Sequence, residues 1–95
     1  MIYSVNPNTA IYKAFTATSA DVGVTIGPLE RWLVTTDAAV MIAQGATPTA
    51  AKASGSTLVV PGYPLIVQGG AGAKLAAIRA GGSDGQLTVT RMLDA

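Results

Sequence analysis

The chain has 95 residues, 49% of them apolar and only 12% charged, with net charge +1 and neither cysteine nor histidine. That composition excludes disulfides, thiolate zinc sites and any mechanism built on a histidine base or a thiol nucleophile. The six basic and five acidic residues are scattered along the chain, so a clustered patch for nucleic acid or a membrane surface is not expected.

In chain order, residues 1–9 show no continuous pattern, and Pro7 stands between Asn6 and Asn8. They read either as a frayed terminus or as an extended arm that adds a strand to a neighbouring subunit, with Ile2, Tyr3 and Val5 as its candidate interface residues. The same stretch lacks a basic segment followed by an apolar one, so no export signal is expected. The length predicts one domain over residues 10–95. Ile11, Lys13, Phe15 and Ala17 share a face in a weak strand, and Val22, Val24 and Ile26 do so in a stronger one. Trp32 and Val34 are expected to enter the core from a third strand. Ala38–Ala43 is apolar at every position and reads as a central strand covered on both faces.

Thr47-Pro48 could cap a helical turn, but the stretch before Gly55 is under two turns, so a loop with at most one turn is expected. The uncharged run Ala53–Ala73 is long enough to span a membrane, yet Pro61, Pro64 and five glycines break it into strands and turns. Tyr63, between Gly62 and Pro64, reads as an exposed interface anchor, with Pro64 beside it. Asp84-Gly85 carries the signal of a two-residue hairpin joining Lys74–Ala80 to Gln86–Met92. Near the C-terminus Leu87, Val89, Arg91 and Leu93 alternate with polar or flexible residues. Turn signals roughly every 8–12 residues predict an all-β fold, a small antiparallel β-sandwich or jelly-roll-like barrel of about seven or eight short strands.

No catalytic, metal-binding or cofactor-binding set emerges. Glu30 and Asp37 bracket one predicted strand and would stand too far apart for two-carboxylate chemistry, so they are expected to be solvated strand ends. Gly69–Lys74 fails the phosphate-loop pattern because Leu75 follows the lysine, and a flexible turn is expected there. The aromatics are not interleaved with basic residues, which argues against nucleic acid, although exposed ones would suit a glycan platform. Low charge suits a subunit whose faces are covered by neighbours, and the 17 alanines bring little area to a core of its own.

The stretch Arg31–Ala43, the Gly45-Ala46-Thr47-Pro48-Thr49-Ala50 loop, Ser54-Gly55-Ser56 with Leu58-Val59-Val60-Pro61-Gly62, and Lys74–Ala80 followed by Gly85–Thr90 together resemble small structural proteins of tailed-phage virions. The resemblance covers about two-thirds of the chain, and the glycine-rich Gln68–Ala73 loop departs from the family's more acidic turn. It implies a non-enzymatic head decoration or cement protein, homo-oligomeric and carried on the virion after synthesis in the host cytoplasm. Its partners would be the major capsid protein or other virion subunits, with no cofactor, nucleic acid, membrane or small-molecule substrate. A neck or tail position and a glycan-binding module are the alternatives.

Overall fold

The computed structural model describes residues 9–45, 48–50, 56–69 and 73–92. Eight strands form: β1 (Ile11–Phe15), β2 (Ala20–Ile26), β3 (Arg31–Thr36), β4 (Val40–Gly45), β5 (Thr57–Val59), β6 (Leu65–Gln68), β7 (Ala73–Arg79) and β8 (Gly85–Arg91). They make two four-stranded antiparallel sheets, ordered β1-β8-β3-β6 and β2-β7-β4-β5. The sheets do not join into a closed barrel: β1 and β6 are edges of one, β2 and β5 of the other. No described residue lies in a helix, so none forms a helix long and apolar enough to cross a membrane.

Alternation along each strand builds the core. Val22, Val24 and Ile26 of β2, Val40 and Ile42 of β4, and Leu75 and Ala77 of β7 meet Phe15, Trp32, Val34, Leu87 and Val89 from the other sheet. Each large side chain so buried stabilises the fold by about 1.5–3 kcal/mol before entropy is counted. Among the described residues no polar or charged residue is buried. Of the expected first-strand face, Ile11, Lys13 and Phe15 turn inward, whereas Ala17 lies past the strand and is exposed.

The fully apolar stretch around β4 has a second cover. Ala43 and Ala76 lie on the outer face of their sheet, and Ala50 packs on them with Ile78 alongside. The Ala50 N–H donates to Ser19 Oγ at 2.9 Å, which ties residues 48–50 down across that face. Small side chains permit this close approach. The strand starts at Val40 rather than Ala38, because Ala38 and Ala39 belong to the turn that leaves β3. Of the expected Thr47–Gly55 loop, only residues 48–50 are described, and they are not helical.

The Asp84-Gly85 hairpin does not form. β7 and β8 lie in different sheets, and residues 80–84 carry the chain from one to the other. Gly85 does not have positive φ; it is the first residue of β8, paired with Phe15. A Cβ there would stand 2.7 Å from the Phe15 ring and 2.8 Å from the Ala38 methyl. The glycine is needed for that close approach, and the Arg79–Asp84 ion pair at 2.9 Å spans the corner instead of a tight turn.

Candidate protein interface on the β5–β6 side

One side of the sandwich differs from the rest of the described surface. From Ser56 to Gly69 the chain carries no charged residue, and this segment supplies β5, the turn after it and β6. Leu58 is 54% exposed, Tyr63 75% and Ile66 39%. Pro61 and Pro64 are exposed beside them. Exposed apolar side chains are ordinary when scattered; here they come from one uncharged segment, with Leu58 on the outer face of one sheet and Ile66 on that of the other.

The turn that presents Tyr63 is rigid by construction. The Tyr63 N–H donates to the Val60 carbonyl at 3.2 Å, Pro61 takes the first central position, and Gly62 takes the second at φ +85°. That is a type II turn, which needs a left-handed residue at its second central position. Tyr63 and Pro64 therefore project from a fixed corner, as the sequence leads one to expect. Ile2, Tyr3 and Val5 lie outside the described residues.

Next to this corner the sandwich is open. β5 covers only Val40–Ile42 of β4, so Ala43–Gly45 lack a partner strand on that side among the described residues. A cleft of about 380 Å³ lies between the sheets, lined by Ile42, Gln44, Thr57, Leu65, Val67 and Leu75. Gln44 Nε2 crosses it to donate to the Gln68 carbonyl at 2.9 Å, one polar link between the two sheets. All the side chains lining it are uncharged, so it suits apolar or amide groups rather than ions.

Arg31 of β3 stands across from Gln68 of β6, and several of the other charged groups have structural tasks. Glu30 and Asp37 flank β3 at opposite ends, as expected, but they are not merely solvated. Glu30 Oε1 accepts from the Gly27 N–H at 2.7 Å and the Trp32 indole N–H at 3.3 Å, and Oε2 meets Arg91 at 3.3 Å. The Gly27 N–H first, then the indole N–H and the Arg91 charge, hold the Glu30 carboxyl below its ordinary value against a smaller opposing effect of burial. Asp37 Oδ1 accepts from the Gln86 N–H at 2.7 Å and ties the β3 end to β8. Lys74 lies exposed on β7, residues 70–72 of the expected flexible turn are outside the described residues, and the Gly69 N–H donates to the Glu30 carbonyl at 2.9 Å. Among the described residues no three Asp or Glu converge as a metal site would require.

Of the aromatics, Phe15 and Trp32 are core and Tyr63 is exposed. Tyr12, 64% exposed, is on β1 at the far edge of its sheet and does not join Tyr63 in one platform. Leu58, Ile66 and Gln44 were not singled out by the sequence; the absence of charge from Ala53 to Ala73 was the available signal. Comparison with protein-family models, curated proteins and solved structures found no match.

Proposed function

We propose that this chain is a non-enzymatic structural subunit of a tailed-phage particle, a decoration or cement protein that binds the assembled head. The observation that carries the reading is the uncharged Ser56–Gly69 segment, where Leu58, Tyr63, Pro64 and Ile66 are exposed and Ile66 borders an uncharged cleft between the sheets. A standard partner footprint of about 800 Å² would take roughly a seventh of the 5271 Å² surface. The sheet orders β1-β8-β3-β6 and β2-β7-β4-β5 support the finer reading of a jelly roll, two interlocked Greek keys, an architecture used by viral capsid and lectin domains.

The mechanism follows from mass action. A protein that binds the assembled shell but not its separated subunits stabilises the shell in proportion to its occupancy. Apolar contacts from the β5–β6 side would bridge neighbouring major capsid subunits, and homo-oligomers would multiply each contact. Heads carrying the protein should withstand heating or chelation that opens heads lacking it, scored by release of packaged DNA. Equal resistance would defeat the cementing role.

Glycan binding is a second reading, favoured by the exposure of Tyr63 on its rigid turn. It requires that a Tyr63→Ala protein lose signal on a carbohydrate array, whereas the structural reading requires no signal from either protein.

A further inference from the structure

We propose that β6 and the cleft beside it receive residues 2–5 of a second copy of this chain as an added strand. The proposal rests on the assembly reading and names how one copy engages the next.

The four sheet edges are not equivalent. β1 turns Lys13 toward the core side, β2 is broken by a bulge between Asp21 and Thr25 with Gly23 at φ +89°, and β5 has three residues. An inward charge, a bulge and a short strand each discourage pairing with another chain. β6, Leu65–Gln68, is one residue longer than β5 and carries neither an inward charge nor a bulge. Its outward ladder groups can be identified. The Gly69 N–H points to β3, where it meets the Glu30 carbonyl, so by the alternation of an antiparallel ladder Leu65 and Val67 also bond β3. Ile66 and Gln68 therefore direct their backbone groups away from the sheet. Gln44 takes the Gln68 carbonyl, which leaves the N–H and C=O of Ile66 and the N–H of Gln68 without a partner among the described residues and open to an incoming strand.

Residues 2–5 match that acceptor chemically. Ile2, Tyr3 and Val5 favour extended backbone, Ser4 is neutral, and no charge occurs before Lys13. In a strand Tyr3 and Val5 share a face, which suits the uncharged cleft, and Ile2 falls on the other face with Ile66. Geometry assigns the donor to another copy. Thr9 is anchored at the β1 edge, its Oγ accepting from the Arg91 N–H at 3.0 Å. A strand outside β6 stands four strand spacings from β1, about 19 Å. Val5, four residues before Thr9, reaches at most about 14 Å, and Tyr3 about 21 Å. They cannot both lie along their own β6. The resulting contact is head-to-tail and closes into a ring or continues as a chain of subunits.

The 95-residue chain has no cysteine, so single cysteines report the contact cleanly. Proteins with Ile2→Cys or Ser4→Cys, whose side chains would share the face of Ile66, are each mixed with an Ile66→Cys protein and oxidised mildly. Disulfides require Cα atoms within about 7 Å, so mixed dimers should exceed either homodimer about fivefold with at least one donor position. Predominant Ile66–Ile66 dimers would mean edge-to-edge pairing of two β6 strands and would overturn the proposal, as would no cross-link. Ile66→Pro supplies a second measurement: its ring replaces an N–H that points away from β3, so the β3 ladder is kept while addition is blocked. Native mass spectrometry should then find a single chain of 9.5 kDa, and a persistent oligomer would refute strand addition. Because these assays use free protein, their failure alongside shell-like copy numbers in particles would overturn strand exchange alone.

Discussion

At the turn between β2 and β3, two adjacent residues act in opposite directions on stability. Leu29 is held at φ +66° with 84% of its surface exposed. A left-handed conformation costs an L-residue about 1–2 kcal/mol, and no burial offsets it here. Leu29→Gly should raise stability by about 0.5–1 kcal/mol after glycine's extra freedom in the unfolded chain is subtracted. A urea melt checks this, and an unchanged or lower midpoint would contradict it. Glu30 works the other way, since its lowered folded pKa makes the native state bind fewer protons than the unfolded chain. Its contribution is complete above the ordinary value of 4.5 and disappears as pH falls through the lowered value. In Glu30→Gln the melting temperature should fall less steeply over that acid window than in the unmodified chain. Parallel curves would show that the carboxylate contributes nothing.

Among the elements, strands were legible wherever one face is buried and the other wet. Val22, Val24 and Ile26 announce β2, and Leu87 and Val89 announce β8, because alternation is a direct record of a half-buried strand. Pairing was not legible. Asp84-Gly85 has the residues of a tight hairpin, but β8 finds its partners in β1 and β3, and that choice depends on the far ends of the chain. Gly85 serves close packing against Phe15 and Ala38. Gly85→Ala should therefore cost about 1–3 kcal/mol, the usual penalty for overpacking a filled site. A cost near zero would mean that Phe15 can move aside. On the β5–β6 side, the exposure of Tyr63 was readable from its Gly and Pro neighbours, whereas that of Leu58 and Ile66 was not. In an uninterrupted apolar run, alternation cannot separate a side chain facing the core from one facing a partner. Ile66→Lys tests that distinction: it should leave the fold's stability within about 0.5 kcal/mol, as at other surface sites, while abolishing self-association. A loss of several kcal/mol would place Ile66 in the fold's own core instead.

At the scale of the molecule, among the described strands only β4 and β5 pair as neighbours in sequence, and the other pairings join distant parts of the chain. Such a topology closes long loops before it is rewarded, so refolding is expected in milliseconds to seconds rather than microseconds. On the proposed reading, the small core and the uncharged side belong to a protein that neighbouring subunits would complete. The β5–β6 side is exposed in one copy and is the surface that the particle would cover. The most direct test of that account is the copy number of this chain relative to the major capsid protein in gradient-purified phage particles, measured by quantitative mass spectrometry. The account predicts a ratio near one or a simple fraction of one, as a component of the shell lattice requires. A handful of copies per particle would move the protein to the neck or tail, and its absence from the particle would contradict the account.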